Sequence, residues 1–169
     1  MKIRAGVLTV SDLGAQGRRE DVSGQTIREI ITERLGAEVV EYEIVPDEQE
    51  VIETMLVEWA DVSGVDLILT TGGTGFSPRD VTPEATRAVI EREAPGLAEA
   101  MRSQGLKSTP HAMLSRAVAG IRGHTLIVNL PGSPKGVKES LEVILPALPH
   151  AIEILRGEAG ASERHEYQA

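Results

Sequence analysis

The amino-acid sequence predicts one α/β domain in which a mostly parallel β-sheet carries helices on both faces. Segments typical of strands and of helices alternate along almost the whole chain, which is the pattern of such a sheet. Two short runs of branched apolar residues, at 65–70 and 125–130, suit strands that are buried on both faces. A length of 169 residues without an internal repeat or linker suits a single hydrophobic core.

The first half of the chain contains two strand–helix pairs. Branched residues predict the first strand, and the alternation of Val40, Tyr42 and Ile44 predicts a half-buried second strand. Ser23 is suited to cap the first helix, in which apolar residues recur at helical spacing. The second helix has an apolar side that includes Trp59, which we expect in the core. The predicted bounds are strands 3–10 and 38–45 and helices 23–35 and 47–62.

The second half continues the alternation and ends in a helical segment. Thr82-Pro83 predicts an N-cap followed by proline at the first helical position. Pro146 should kink or restart the long helical stretch that follows residue 134. The predicted bounds are strands 65–70 and 125–130 and helices 82–92 and 96–104. We expect residues 1–157 to form the domain and residues 158–169, which are polar and lack periodicity, to form a C-terminal tail.

Composition and charge exclude several classes of function. A net charge of −9 opposes binding to nucleic-acid phosphates or anionic membranes, and an aromatic content of 2% leaves few platforms for base stacking. The absence of cysteine excludes disulfides, thiolate zinc sites and iron–sulfur clusters. The sequence shows no signal peptide and no membrane-spanning apolar run, so the cytoplasm is the expected location. We therefore expect no nucleic-acid partner and no membrane partner.

Glycine, hydroxyl and carboxylate residues follow four of the predicted strands directly. The four segments are Ser11-Asp12, Pro46-Asp47, Thr70 to Asp80 and Pro131 to Pro134. The carboxyl ends of parallel strands meet at one edge of a sheet, and ligands of α/β proteins bind there. The sequence therefore predicts that all four segments lie on one rim.

The segment after the third predicted strand is the strongest candidate for a ligand site. Gly72, Gly73 and Gly75 permit left-handed backbone and the close approach of a ligand. N–H groups turned into such a loop form an anion nest, which the hydroxyls of Thr71 and Thr74 can extend. The segment matches neither a Walker A loop nor a clean dinucleotide fingerprint. A glycine-rich tight turn is the alternative, but the position after a buried strand favours phosphate or nucleotide binding.

Two aspartates on this rim predict a bound Mg²⁺. Asp80 lies two residues before Thr82, so helix capping explains it poorly. Considered alone, Asp47 fits an N-cap with Glu50 three positions further on. Two carboxylates beside a phosphate nest, however, suit Mg²⁺, which prefers oxygen ligands and substrate phosphates. The pair favours a metal site more than either residue does alone.

A second helix start with glycine and hydroxyl residues lies at Gly132 and Ser133. A serine cap with proline at the next position explains these residue types, whereas two such helix starts on one rim could hold two phosphate-bearing ligands. Both interpretations remain open. Ser115-Arg116 could contact an anion, but solvation at the surface is the simpler interpretation. The four histidines lack the spacing of metal ligands.

Taken together, these motifs resemble the molybdopterin adenylyltransferases of the MogA/MoaB type, which are related to the G domains of gephyrin-like proteins. The resemblance covers residues 1–157 and is carried by six motifs. They are TVSD (9–12), DVSG (21–24), VPD (45–47), TTGGTGFSPRDVTPEAT (70–86), AMLSRAVAGI (112–121) and NLPGSPKGVKESLEVILPAL (129–148). The long central motif and LPGSP, at this separation, are highly specific.

The resemblance implies a three-layer Rossmann-like domain that assembles into trimers or hexamers and works beside other enzymes of molybdenum cofactor biosynthesis. It implies Mg²⁺-dependent attack of the terminal phosphate of molybdopterin on the α-phosphorus of ATP, which gives adenylylated molybdopterin and pyrophosphate. Asp47 and Asp80 would be the catalytic carboxylates and metal ligands. The residues implied to bind nucleotide or pterin are Ser11, Asp12, Thr71, Gly72, Gly73, Thr74, Gly75, Ser115, Gly132 and Ser133. The alternative within the family is a paralogue that binds nucleotide or pterin without catalysis.

Overall fold

A six-stranded sheet forms the centre of the protein. The computed structural model describes residues 2–163. The strands are β1 (Arg4–Val10), β2 (Glu38–Val45), β3 (Leu67–Thr71), β4 (Arg92–Glu93), β5 (Ala119–Arg122) and β6 (Thr125–Leu130). Their order is β2-β1-β3-β6-β5-β4, and the first four in this order run parallel, whereas β5 and β4 are antiparallel to their neighbours. The predicted mostly parallel sheet is confirmed.

Helices connect the strands. They are α1 (Asp12–Ala15), α2 (Val22–Leu35), α3 (Gln49–Asp61), α4 (Thr82–Val89), α5 (Pro95–Gly105), α6 (Pro134–Ile144) and α7 (Leu148–Leu155). Short 3₁₀ turns lie at Pro110–Leu114, Leu145–Ala147 and Ala161–Glu163. The turn at Leu145–Ala147 contains Pro146 and separates α6 from α7, so the predicted restart of the C-terminal helical segment is confirmed.

The sequence does not predict α1, β4 or β5. These elements have four, two and four residues, respectively, which is too short for a helical or period-two pattern to show. β4 and β5 add an antiparallel edge to the parallel part of the sheet. The edge lies at the end of the sheet away from β1 and β2, so it leaves the predicted rim intact.

Two apolar clusters fill the two sides of the sheet. Successive strand residues point to opposite faces. In β3, Leu67 and Leu69 therefore belong to one cluster and Ile68 to the other. Trp59 of α3 is buried in the second cluster, as predicted. Within residues 2–163, no helix is both long and apolar enough to span a bilayer.

Three helix starts differ from the prediction. Asp21, not Ser23, caps α2, and its carboxylate accepts the Gly24 N–H. The residue that precedes α3 is Glu48, and it forms no side-chain cap. Thr82 is the first residue of α4 and not its cap, because its hydroxyl donates to the carbonyl of Gly72 at 2.9 Å. The expected caps Ser23, Asp47 and Thr82 instead form hydrogen bonds with residues distant in the sequence.

The predicted C-terminal tail falls only partly within the described residues. Residues 158–163 include a 3₁₀ turn, and Ala161 within it is buried. Residues 164–169 lie outside the described part of the chain. The domain boundary at residue 157 therefore stays a prediction.

Candidate active site

The strand order creates a crevice at the carboxyl ends of β1 and β3. The chain leaves β1 toward β2 on one side and later returns to β3 on the other, so the loops after these strands diverge. A cavity of about 540 Å³ lies at this point, and we refer to it as the polar cleft. The predicted site residues that line it are Ser11, Asp47, Thr71, Gly72, Gly73, Asp80 and Gly132.

The glycine segment after β3 lies against both predicted carboxylates. Gly72 and Gly73 have φ angles of 94° and 69°, in the left-handed region that favours glycine. A Cβ on Gly73 would lie 2.3 Å from Thr82 Oγ1 and 3.3 Å from Asp47 Oδ1. A Cβ on Gly75 would lie 2.9 Å from Asp80 Oδ2. The backbone therefore passes within contact distance of the two acids, with no space for side chains between them.

Hydroxyl groups fasten the loops around the cleft to one another. Thr71 donates to the carbonyl of Pro131 at 2.6 Å, and Ser23 donates to the carbonyl of Gly132 at 2.6 Å. Together with the bond from Thr82 to Gly72, these contacts join the loops after β3 and β6 to the starts of α2 and α4. Side-chain hydrogen bonds thus fix the loops of the cleft wall relative to one another.

Asp47 lies after the end of β2 and is hydrogen-bonded to Asp12, which follows the neighbouring strand β1. Its Oδ2 accepts the backbone N–H of Asp12 at 2.9 Å, so it does not cap α3. Burial raises the pKa of Asp47, and the charges of Asp12 and Asp80 raise it further, whereas the Asp12 N–H and Arg79 lower it. The negative charge of Asp47 is therefore disfavoured in the protein alone and would be stabilised by a cation.

Asp80 ends the segment 72–80, which we refer to as the glycine loop. Its Oδ2 accepts the backbone N–H of Ser77 at 3.0 Å, and it lines the polar cleft with Asp47. This bond shapes the loop ahead of α4 and does not cap the helix, as predicted.

Arg116 braces the same loop from outside. Its Nε and Nη2 donate to the carbonyls of Gly75 and Asp80, each at 2.8 Å, and its Nη1 donates to both carboxylate oxygens of Glu84. The expectation that Arg116 is solvated at the surface is wrong, because its guanidinium donors match carbonyl and carboxylate acceptors around the loop.

Asp12 does not line the polar cleft. Its carboxylate forms a bidentate pair with Arg79, and this hydrogen-bonded pairing lowers the pKa of Asp12. The position of Asp12 beside Asp47 makes it a support for the site wall.

A second cavity of about 510 Å³ opens on the other side of the glycine loop, and we refer to it as the apolar cavity. Four predicted site residues line it: Thr74, Gly75, Ser115 and Ser133. Most of its remaining wall is apolar and includes Phe76, Met101 and Leu114. The Ser133 hydroxyl accepts the Gly136 N–H at 3.0 Å, so Ser133 caps α6 and also faces this cavity.

Sequence reasoning did not select Asp21, which anchors the far wall of the polar cleft. Its carboxylate accepts hydrogen bonds from Thr9 Oγ1 at 2.7 Å, from Tyr42 Oη and from the Gly24 N–H. Burial, together with this aspartate, raises the pKa of Tyr42 to about 12. The signal that could have found Asp21 is the DVSG motif, in which an acid precedes a helix at the position of a cap.

Asp47 and Asp80, which line the polar cleft beside the glycine loop, suit a magnesium ion. Among residues 2–163, no three His, Cys, Asp or Glu side chains are grouped closely enough to hold a metal by themselves. Mg²⁺ is commonly bound through one or two carboxylates and completed by water and substrate phosphates. Asp47 and Asp80 supply that number of carboxylates.

Comparisons with known proteins identify the family of the chain. Residues 6–150 match the family described as a probable molybdopterin binding domain. The chain is 46% identical over 156 residues to the molybdopterin adenylyltransferase of Helicobacter pylori (strain J99), covering 92% of this chain and 89% of that protein. It is 48% identical over 166 residues to gephyrin of Dictyostelium discoideum, covering 93% of this chain and 23% of gephyrin.

A solved structure shows the same fold. The molybdopterin biosynthesis enzyme MoaB of Thermus thermophilus is 58% identical and superimposes with a TM-score of 0.87, covering 92% of this chain and 98% of that one. The family match, the relatives and the shared fold lead to one conclusion. The chain belongs to the molybdopterin-binding domain family that includes the MogA/MoaB proteins and gephyrin.

Proposed function

We propose that this protein adenylylates molybdopterin in molybdenum cofactor biosynthesis, using ATP and Mg²⁺. The observation that carries the proposal is the placement of Asp47 and Asp80 against the glycine loop, at the crevice between β1 and β3. Relatives named molybdopterin adenylyltransferase that align over most of the chain support the same activity. In the reaction, a terminal phosphate oxygen of molybdopterin bonds to the α-phosphorus of ATP, and pyrophosphate leaves.

The charge of the polar cleft explains the need for a cation. Its wall carries the acids Glu20, Asp21, Asp47 and Asp80, with Arg19 as the basic residue. These acids would repel a polyphosphate that enters the cleft unless a cation accompanied it. Asp47 and Asp80 would hold Mg²⁺, which supplies charge neutralisation for the phosphates.

The protein itself would contribute positioning. Phosphoryl and nucleotidyl transfer depends on holding the reacting groups in line and on stabilising charge, more than on covalent chemistry by side chains. The N–H groups of the loop at 72–75 and the N-terminus of α6 can bind phosphate oxygens. The apolar cavity beyond the loop would accept a flat heterocycle of one of the two substrates. Two adjoining cavities suit a reaction that joins two substrates.

Product formation tests the proposal directly. The purified protein is incubated with molybdopterin, ATP and Mg²⁺, and adenylyl-molybdopterin and pyrophosphate are measured. We expect Asp80→Asn and Asp47→Asn to lower the rate by about a hundredfold to a thousandfold, because removing an aligned charge-stabilising group has effects of this size. Asp61→Asn is the matched control, since Asp61 at the end of α3 pairs with Arg122 of β5 and lies outside both cavities.

The same experiment separates catalysis from binding alone. If nucleotide binds but wild-type protein forms no adenylylated product, the protein is a binding paralogue and the proposed reaction is wrong. If Asp80→Asn fails to fold, as judged by circular dichroism, Asp80 is structural instead.

The assembly expected from the resemblance, a trimer or hexamer, is part of the proposal. Met113 and Leu114 are large apolar side chains that are exposed in the single chain, and such surfaces mark interaction sites. Sedimentation equilibrium should give three or six times the chain mass of 18.1 kDa. A mass of one chain would contradict this part.

A further inference from the structure

Arg79 points away from the polar cleft, although it directly precedes Asp80 in the glycine loop. Its Nε donates to Asp12 Oδ2 at 3.0 Å and its Nη2 donates to Asp12 Oδ1 at 2.8 Å. The side chains of Arg79 and Asp12 are 58% and 32% exposed, and neither residue lines the cleft. The pair joins the loop after β3 to the loop after β1.

Asp12 is joined to Asp47 by two reciprocal hydrogen bonds. The Asp12 N–H donates to Asp47 Oδ2, and the Asp47 N–H donates to Asp12 Oδ1, each at 2.9 Å. Asp12 Oδ1 thus accepts from Arg79 and from Asp47 together. The orientation of the Asp12 carboxylate that suits Arg79 is therefore the orientation that closes the ring with Asp47.

Charge gives Arg79 a second effect on this ring. Asp12 and Asp47 are two acids held in contact, with Asp80 nearby, and such like charges repel one another. The guanidinium of Arg79 balances the charge on Asp12 at hydrogen-bond distance. Its planar fork also fixes the carboxylate plane, which a point charge would not do.

Fold stability alone does not account for this arrangement. Exposed ion pairs contribute little to stability, because solvent screens them and holding two long side chains costs entropy. Arg122 and Asp61 form an exposed bidentate pair of the same geometry, with bonds of 3.0 and 2.7 Å, away from both cavities. The feature that distinguishes the Arg79 pair is the ring that it closes with Asp47.

We propose that Arg79, acting through Asp12, is a positioning residue that sets the orientation of Asp47 toward the metal-bound substrate. The inference rests on the proposed function. Arg79 and Asp12 would touch neither substrate nor metal. They would fix the angle at which Asp47 enters the cleft, so their removal should act on the chemical step and on binding that depends on Mg²⁺.

Steady-state kinetics with a double-mutant cycle tests the linkage. The variants are Arg79→Gln, Asp12→Asn, the double variant, and Arg122→Gln as the matched control. We expect each single variant to lower kcat by about tenfold to a hundredfold, the range seen when a supporting partner of a metal ligand is lost. The double variant should be no slower than the slower single variant, because both changes break the same contact. Arg122→Gln should stay within about twofold of wild type.

Binding provides a readout that needs no turnover. The affinity for α,β-methylene-ATP is measured by calorimetry with Mg²⁺ and again with EDTA. We expect Arg79→Gln and Asp12→Asn to weaken the binding with Mg²⁺ by similar factors and to leave the binding in EDTA unchanged.

Three results would overturn the positioning role. Arg79→Gln could match Arg122→Gln in kinetics and binding, the two single effects could multiply in the double variant, or Arg79→Gln could weaken binding equally in EDTA. Multiplied effects would show that Arg79 does not act through Asp12, and equal weakening in EDTA would show that its effect does not depend on the metal. If wild-type protein forms no product but the binding pattern holds, the proposed reaction fails and the orientation of Asp47 by Arg79 stands.

Discussion

The polar cleft and the apolar cavity share a wall but differ in chemistry. Both are formed by the loops at 71–75 and 131–136. On the polar side, Asp47 lies after the end of β2, and Asp12, which lies after the end of β1, supports it. On the other side, α5 and the 3₁₀ turn after it add Met101 and Leu114. The same backbone therefore borders a charged site and an apolar one, because different neighbours face its two sides.

The comparison shows where close packing matters. The loop must pass between Asp47, Asp80 and Thr82 on the polar side, where only glycine fits. On the apolar side, Phe76 is 69% exposed and is not confined in this way. Changes to the polar side should therefore alter the reaction itself, whereas changes to the apolar side should alter affinity.

Among changes that separate the two cavities, the largest expected effect comes from adding a single methyl group at Gly73. An alanine at this position would strain a backbone with φ of 69° and would place its Cβ 2.3 Å from Thr82 Oγ1. We expect Gly73→Ala to lower kcat by about a hundredfold, because a displacement of about 1 Å at a reacting centre has this effect. Steady-state kinetics of adenylyl-molybdopterin formation measures the change.

Gly64→Ala is the control for the backbone strain. Gly64 has φ of 62° and no atom within 4 Å of its Cβ position. The strain should lower the free energy of unfolding by about 1–2 kcal/mol without changing kcat. Equal kinetic losses in both variants would show that strain alone, and not the contact with Thr82, is responsible.

A moderate effect is expected at Phe76 in the apolar cavity. Phe76→Ala removes exposed apolar area, so the protein should keep its stability while KM for one substrate rises by about threefold to tenfold. Val62→Ala is the control, because Val62 is 81% exposed and lines neither cavity. A fall in kcat at unchanged KM would contradict the assignment of this cavity to affinity.

The smallest expected effect is on stability. Ionisation of Asp47 should destabilise the fold, whereas ionisation of an ordinary paired surface acid should stabilise it. The pKa of Asp47 is raised in the folded state from the ordinary 3.8, mainly by burial. The stabilisation from an acid with a raised pKa is fully present below its unfolded pKa, where the acid is protonated. It is lost as the pH rises through the folded pKa. Ionised Asp47 therefore opposes folding at neutral pH.

Asp47→Asn should then raise Tm at pH 7, and the gain should disappear below about pH 3.8. Asp61→Asn should do the opposite, because hydrogen bonding to Arg122 lowers the pKa of Asp61 and its contribution is present at neutral pH. Thermal unfolding followed by circular dichroism at several pH values measures both. A lower Tm for Asp47→Asn at pH 7 would show that its hydrogen bond outweighs its burial.

The sequence predicted the elements that have long, regular patterns. The predicted bounds of β2 and β6 match the structure, and α5 differs by one residue at each end. The sequence also placed the glycine loop and both acids on one rim, since each follows a strand. It misplaced the caps of α2 and α4, because Ser23 and Thr82 form contacts with Gly132 and Gly72 that no local pattern encodes.

The sequence by itself determined the longer strands and helices of this protein and its glycine-rich loop, because periodicity and turn chemistry are local properties. Only the tertiary structure decided the strand order that opens the polar cleft between β1 and β3. It also decided that Asp12 supports Asp47 and pairs with Arg79, a residue 67 positions away. Such contacts depend on how strands are ordered and registered, and that order is set by the packing of the whole sheet.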